Sequence, residues 1–157
     1  MGSGKSKIAR EIARRLNVEV IATDDLIEAR EGQKIQDIFK TKGESYFRDL
    51  EVEIIKEVSS LHHGVIIDCG GGVVLREENL PTLKVNGIVF YLQASPEVIY
   101  ERIKKEGHRP LLQVPDPLGF MKQLYDQRLP LYNQADYVID ANDASIEGPV
   151  VEILMKI

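Results

Sequence analysis

The chain has 157 residues, a length typical of one domain, and we predict a single domain over residues 1–157. Its 43% hydrophobic and 29% charged residues argue against disorder and coiled coil, and no apolar run approaches the ~20 residues of a membrane helix. The net charge of -5 disfavours non-specific binding to nucleic acid, and the single cysteine excludes an internal disulfide.

Apolar residues recur with helical or strand spacing along the whole chain. The helical spacing predicts helices at residues 8–16, 23–32, 35–40, 44–58, 96–103, 119–134 and 146–157. Short apolar runs predict strands at residues 18–22, 65–68, 87–92 and 137–140. The charged run at residues 76–78 is interpreted as the solvated start of a helix. Because strands alternate with helices and are continuously apolar, we predict an α/β fold with a parallel sheet flanked by helices.

The residues that precede the first helix, Gly2-Ser3-Gly4-Lys5-Ser6, are typical of the end of a phosphate-binding P-loop. Glycines let backbone N–H groups converge on phosphate oxygens, and the helix N-terminus adds partial positive charge. Lys5 is then expected to reach the β- and γ-phosphates of ATP, and Ser6 to bind Mg²⁺. The alternative is a Gly/Ser-rich tag ahead of an ordinary helix. A full P-loop starts earlier and follows a buried strand, so we expect the natural protein to begin upstream, with its first strand missing from this sequence.

Five polar or glycine-rich segments follow in a characteristic order, at residues 24–28, 43–51, 70–72, 109–112 and 128–132. In order and spacing they resemble the shikimate kinase family over essentially the whole chain. The most specific parts are Gly-Glu-x-x-Phe-Arg-x-x-Glu within residues 43–51 and Arg-Pro-Leu-Leu at residues 109–112. The resemblance implies a three-layer P-loop kinase fold, with a substrate-binding region at about residues 24–51 and a lid at about 106–118.

The activity that this resemblance implies is ATP-dependent phosphorylation of the 3-hydroxyl of shikimate. The products are shikimate 3-phosphate and ADP, in the biosynthesis of chorismate and aromatic amino acids. Shikimate and ATP are the expected small-molecule partners and Mg²⁺ the expected metal. We further expect a cytoplasmic protein, since no signal peptide is visible. We also expect a monomer with no membrane or nucleic-acid partner.

The resemblance also assigns residues to the substrate. Arg48 and Arg128 match the arginines that bind the carboxylate, and a guanidinium fork suits bidentate binding. Asp24 matches the carboxylate that holds the substrate hydroxyls and accepts the proton of the attacking one. Glu51 would orient Arg48. The remaining predicted substrate-binding residues are Gly70, Gly71 and Gly72, whose N–H groups would bind substrate oxygens, and Phe39 and Phe47, for which core packing is the alternative.

Two further arginines are assigned to the nucleotide by the same resemblance. Arg102 matches the position that stacks on adenine. Arg109, in the predicted lid, matches the arginine that reaches the transferring phosphoryl group, where neutralising developing charge is the main catalytic task. With Lys5 and Asp24, Arg109 completes the predicted catalytic set. The nucleotide-binding set is Gly2, Ser3, Gly4, Lys5, Ser6, Lys7, Arg102 and Arg109.

The sequence departs from the family pattern at three positions. The family usually carries Asp-x-Asp after its second strand, and the first aspartate, which helps to hold Mg²⁺ through water, is here Ala22. Asp68 ends a neighbouring strand where the family usually has a small residue, and we predict that Asp68 replaces the missing carboxylate, with capping of a loop as the alternative. Lys7 replaces a hydroxyl residue and faces either phosphate or solvent.

Two other functions are compatible with parts of the pattern. One is a related small-molecule kinase, of the gluconate or nucleoside monophosphate type, which the two arginines and the triple glycine disfavour. The other is a kinase-like binding protein with impaired catalysis, which Ala22 favours and which Lys5, Asp24 and Arg109 oppose.

Overall fold

The computed structural model describes residues 2–61, 64–104 and 114–157 of the chain. The helices are α1 (Lys5–Leu16), α2 (Thr23–Glu31), α3 (Ile35–Ser59), α4 (Asn79–Lys84), α5 (Pro96–Ile103), α6 (Pro117–Tyr132) and α7 (Glu147–Leu154). A short 3₁₀ helix covers Val73–Leu75. The strands are β1 (Glu19–Ala22), β2 (Val65–Asp68), β3 (Phe90–Gln93) and β4 (Tyr137–Asp140). Within these described ranges, none of the helices combines the length and the apolar character that crossing a membrane would require.

The contacts divide the chain into two compact units. The middle unit is Ala9–Val89, and the terminal unit combines the first eight residues with Phe90–Ile157. Each unit contains one pair of parallel strands, β1 with β2 and β3 with β4. Parallel pairing agrees with the continuously apolar strands, which differ from the alternating pattern of a sheet with one solvated face.

The middle unit packs α2 and α3 over the strand pair. Its buried cluster contains Ile27, Ile38, Phe47, Leu50, Ile54 and Val58, with Phe39 among the partly buried residues packed against it. The spacing of the α3 members follows the helical period predicted from the sequence. Each fully buried isoleucine contributes roughly 1.5–3 kcal/mol relative to an exposed one, so this face fixes where the polar residues of α3 point.

A break at Gly43 interrupts α3. Its φ of 83° and ψ of 172° are not helical, which explains why the sequence predicts one helix ending near Gly43 and another beginning at Glu44. A polar network spans the break: Lys42 donates to Glu31 Oε2 at 2.6 Å and to the Tyr46 hydroxyl at 3.1 Å. The Tyr46 hydroxyl in turn donates to Glu31 Oε1 at 3.0 Å. The network therefore holds the end of α2 against both halves of α3.

This network predicts a pH-dependent contribution to stability. The hydrogen bond from Lys42 lowers the pKa of Glu31, and that from Tyr46 adds to the effect. A carboxylate with a lowered pKa stabilises the fold above its ordinary pKa, and the contribution is lost as pH falls through the lowered value. We expect Glu31→Gln to lower the urea midpoint at about pH 7, and by progressively less as the pH is lowered towards about 3. An equal shift at both pH values would contradict this, and Glu53→Gln, which removes an exposed glutamate from α3, is the control.

The terminal unit pairs Phe90–Gln93 with Tyr137–Asp140 in register, and Ala141 N extends the pairing by donating to Gln93 O at 2.7 Å. The Ser95 hydroxyl accepts from Val98 N at 3.3 Å and so caps α5, which has Pro96 as its first residue. The predicted strand at 87–92 is three residues early, because the β4 partner begins opposite Phe90. The last helix is shorter than predicted and ends at Leu154.

Candidate active site

The glycine-rich segment at the start of the terminal unit forms a tight turn into α1. Gly2 and Gly4 have φ values of 76° and 91°, and both Lys7 N and Ile8 N donate to Gly4 O at 3.1 Å. A Cβ at Gly2 would lie 2.9 Å from methyl carbons of Ile99 and Ile103, so no side chain fits there. The turn therefore leads directly into the N-terminus of α1, and helix N-termini are suited to binding anions. Lys5 is the first residue of α1, with Ser6 and Lys7 in the same turn.

Arg102, also in the terminal unit, is held in a fixed orientation. Its Nη2 donates to Asn142 O at 2.9 Å and to Asp143 O at 2.6 Å, and Nη1 donates to Gly2 O at 3.5 Å. An open cavity of about 310 Å³ adjoins it, lined by Glu97, Val98, Glu101, Arg102, Asn142 and Ala144. A planar cation fixed beside a cavity can stack on an aromatic base.

Arg128 lies on α6 and is half-buried. Its Nε atom is buried and makes no hydrogen bond to any of the residues that the structure describes. A buried N–H without an acceptor is costly, so this donor has a free-energy incentive to bind an anionic ligand.

In the middle unit, Arg48 contacts two other predicted substrate-binding residues, Glu51 and Phe47. Arg48 Nη1 donates to Glu51 Oε2 at 2.8 Å, and Glu51 is fully buried. On its other side, Arg48 Nε and Nη2 donate to Glu44 Oε1 at 3.3 and 3.2 Å. The guanidinium also lies 4.9 Å from the ring centre of Phe47. The side chain of Arg48 is 12% exposed, and these contacts hold its orientation.

The turn after β2 lies directly against this arginine. A Cβ at Gly72 would be 2.2 Å from Arg48 Nη1 and 2.4 Å from Cζ, so the guanidinium packs on bare backbone. At Gly70 a Cβ would lie 3.0 Å from Asp24 Oδ1 and 3.3 Å from Glu51 Oε1. Asp24, Arg48, Glu51 and the turn therefore form one cluster, with an exposed carboxylate and a guanidinium on either side of glycine backbone.

Two of the positions that depart from the family pattern, Ala22 and Asp68, lie at the ends of β1 and β2. Ala22 and Asp68 are direct partners in the register of β1 and β2. Thr23, which follows Ala22 and is buried, donates from its hydroxyl to Asp68 O at 3.4 Å. Ala22 and the Asp68 carboxylate therefore lie on the same rung of the two-stranded sheet.

The two phenylalanines predicted to contact the substrate pack against each other in the middle unit. Phe47 is 4% exposed in the core cluster, and its ring centre lies 4.8 Å from that of Phe39, so core packing occupies at least part of both rings.

Arg109 and most of the predicted lid at 106–118 lie outside the described residues, as does the segment 62–63.

One residue that sequence reasoning assigned to solvent belongs to the neighbourhood of this cluster. Arg76 Nη2 donates to Asp49 Oδ1 at 2.5 Å and to the Ser45 hydroxyl and carbonyl at 3.2 and 3.3 Å. The predicted solvated helix start at 76–78 is therefore wrong for Arg76, because α4 begins only at Asn79 and Arg76 binds α3. Nothing in the local charge pattern indicates that Arg76, unlike Glu77 and Glu78, turns toward the protein.

Comparisons with known proteins agree with this geometry. The family model described as shikimate kinase matches residues 1–157. A shikimate kinase of Thermodesulfovibrio yellowstonii is 42% identical over 156 residues, covering 99% of this chain and 90% of the relative. One of Burkholderia lata is 43% identical over 158 residues, covering 100% of this chain and 85% of the relative.

Solved structures give the same result. A shikimate kinase from Acinetobacter baumannii in complex with shikimate has a TM-score of 0.91 at 34% identity, covering 99% of this chain and 87% of that one. A gluconokinase from Sinorhizobium meliloti, at 17% identity and a TM-score of 0.57, shares the fold alone. These matches confirm the predicted resemblance, the α/β P-loop kinase fold and the expectation that the protein is an enzyme of this type. By the family model and by relatives above 40% identity along its whole length, the chain belongs to the shikimate kinase family.

Proposed function

We propose that this protein transfers the γ-phosphoryl group of ATP to the 3-hydroxyl of shikimate, giving shikimate 3-phosphate and ADP, through the residues assigned above. The observation that carries the proposal is the cluster in which Glu51 holds Arg48 against Gly72, with Asp24 on the other side of the turn. A small acid that bears several hydroxyls complements such a pair of opposite charges.

Arg48 would bind the carboxylate of the substrate. Its hydrogen bonds to Glu51 and Glu44 use one N–H on Nη1 and one on Nη2, along with Nε. As far as the described residues are concerned, one N–H therefore remains on each Nη atom, which is the pair that a carboxylate accepts in a bidentate bond. Arg128 keeps the role that the family resemblance gives it, as a second donor to the same group, and its buried Nε without an acceptor supports that role.

Asp24 would bind the substrate hydroxyls and accept the proton of the attacking one. It lies in the first turn of α2, at the end of β1, where ligands of parallel α/β sheets bind. The N–H groups of Gly70, Gly71 and Gly72 would complete the binding of substrate oxygens. Phe39 and Phe47 would contact the ring of the substrate only through the faces that core packing leaves open.

The terminal unit would hold the nucleotide. The Gly2–Gly4 turn and the start of α1 supply N–H groups for the phosphates, with Lys5 as the positive charge near the transferred group. Lys7, in the same turn of α1, would bind phosphate from the side. Arg102 and its cavity fit an adenine ring. Arg109 keeps its proposed role of neutralising charge on the transferring phosphoryl group.

The residues present also fit Mg²⁺, which prefers oxygen ligands and usually retains several waters in phosphotransfer sites. Ser6 carries the hydroxyl expected at the end of a P-loop, and Asp68 carries a carboxylate on the rung of Ala22. Mg²⁺ would neutralise charge on the β- and γ-phosphates when bound. We propose that Asp68 takes the role of the aspartate that Ala22 lacks, holding the metal through water.

An exchange of the carboxylate between strands tests the role of Asp68. Asp68→Asn should raise the Mg²⁺ concentration for half-maximal ATP binding, measured by calorimetry, by about tenfold or more, as is usual for carboxylates that support a metal. The double variant Ala22→Asp with Asp68→Ala should restore most of the affinity. An unchanged Mg²⁺ dependence in Asp68→Asn would contradict the proposal. A double variant that folds but does not regain affinity would show that Asp68 does not replace the carboxylate missing at Ala22.

The reaction itself is tested by an ADP-release assay with shikimate, gluconate and AMP as alternative acceptors, followed by ³¹P NMR of the product. We expect release with shikimate alone and a phosphomonoester at the 3-position. Turnover of gluconate or AMP instead would overturn the assignment, and stoichiometric binding of ATP and shikimate without turnover would identify a binding protein. We propose a monomer acting in the cytoplasm, where ATP is supplied.

A further inference from the structure

The segment that follows the glycine turn is held by backbone hydrogen bonds and by one side-chain hydrogen bond from Asn79. Val73 and Leu75 close the turn through backbone bonds to Gly70 O at 3.1 Å and Gly72 O at 2.9 Å. Asn79, which is 1% exposed, donates from Nδ2 to Val73 O at 2.8 Å, and its N–H donates to Arg76 O at 3.1 Å. The chain from Gly70 to Asn79 is therefore one closed and internally bonded loop, here called the 70–79 loop.

Arg76 connects this loop to one turn of α3. Its Nη2 contacts the hydroxyl and carbonyl of Ser45 and the carboxylate of Asp49, four residues apart on the helix. Arg48 belongs to the same helical turn. Because the other end of the loop, at Gly72, packs on the Arg48 guanidinium, Arg76 closes a ring that runs from α3 through the loop and back to α3.

From this ring we propose that Arg76 is a positioning residue for substrate binding: it sets the spacing between the glycine turn and Arg48, and Asn79 keeps the loop that transmits this spacing rigid. The inference rests on the proposed function of the same cluster. The space behind Gly72 is too small for a methyl group, so the gap between the turn and the guanidinium is determined closely by where the loop is held. A carboxylate bound in bidentate fashion is sensitive to such a displacement.

A role in general stability predicts a different result from a role in positioning. Loss of stability reduces the fraction of folded enzyme and therefore the apparent kcat, without changing KM for shikimate. Loss of positioning raises KM for shikimate, while KM for ATP stays unchanged because the nucleotide is bound by other residues. Comparing the change in KM for shikimate with the change in apparent kcat therefore distinguishes a positioning role from a role in stability.

The test compares Arg76→Met with Lys56→Met. Lys56 also joins α3 to the 70–79 loop, through an ion pair with Glu78 at 3.4 Å, but both partners are mostly exposed and Lys56 lies about two helical turns beyond Arg48. We expect Arg76→Met to raise KM for shikimate about tenfold with kcat within about twofold, and Lys56→Met to leave both unchanged. Arg76→Lys should give an intermediate KM, since an ammonium can reach Asp49 without the geometry of the fork.

A second measurement does not depend on catalysis. In wild-type protein the Arg48 Nε–H, bonded to Glu44, should exchange slowly in ¹⁵N NMR, and Arg76→Met or Asn79→Leu should accelerate that exchange while Lys56→Met does not. Unchanged KM for shikimate together with unchanged exchange in Arg76→Met would overturn the inference. Absence of shikimate turnover in wild-type protein, with the expected change in exchange, would instead contradict the proposed function and leave the positioning role supported.

Discussion

Asp24→Asn is expected to reduce kcat for shikimate phosphorylation by about 10³-fold, which lies within the 10²–10⁴-fold range of general base catalysis. An amide keeps the size and a hydrogen-bonding oxygen, so shikimate should still bind, with KM raised far less than kcat falls. It cannot accept the proton of the attacking hydroxyl. Steady-state kinetics with shikimate and ATP measure the effect.

Asp25→Asn is the matched control for this substitution. Asp25 is the neighbouring acid in the same first turn of α2, so its replacement makes the same change in charge and in the interaction with the helix N-terminus. We expect activity within about twofold of wild type, the size of effect typical of a surface change of under 0.5 kcal/mol. Equal losses in both variants would show that helix stability, and not proton acceptance, explains the requirement for Asp24.

The second large effect is expected for Arg48→Lys, which should lower kcat/KM for shikimate by about 10²-fold or more, mainly through KM. An ammonium can bind Glu51 but cannot also present two parallel N–H groups to a carboxylate. Arg30→Lys is the control, because Arg30 lies on α2, pairs with Glu57 and Glu53, and takes no part in the cluster. A loss of similar size in Arg30→Lys would remove the specific role of Arg48.

Substituting Arg48 together with its buried partner Glu51 separates substrate binding from stability. Arg48→Met should also destabilise the fold, by about 3–5 kcal/mol, because it removes the guanidinium that pairs with the fully buried Glu51. Adding Glu51→Gln removes the buried negative charge, so the double variant should regain stability in a urea titration. It should regain no activity. Recovery of shikimate turnover in the double variant would contradict direct binding by Arg48.

The parts of the site that could be predicted from sequence are those set by local spacing. Glu51 follows Arg48 by one helical turn, so their hydrogen bond follows from the period of α3. The cap at Ser95 and the turn before α1 likewise depend only on neighbouring residues. Similarity to a known family then supplied roles that no period or cap could supply.

What could not be predicted depends on residues that are distant in sequence. Arg76 contacts Ser45 across 31 positions, and charge alone does not indicate which arginine in a polar run turns toward the protein. The start of β3 depends on where β4 supplies a partner, which lies 47 residues further on at the facing position. The burial of Phe47 depends on packing with α2, which a helical pattern alone does not specify.

The pairing of Ala22 with Asp68 bears on how such enzymes evolve. Neighbouring strands lie about 4.8 Å apart, so a lineage that acquired aspartate at both positions would hold two like charges on adjacent backbones. A lineage that lost one before gaining the other would pass through a form with neither. The two positions are therefore expected to be epistatic, and an Ala22→Asp graft made alone should be less fit than the paired exchange.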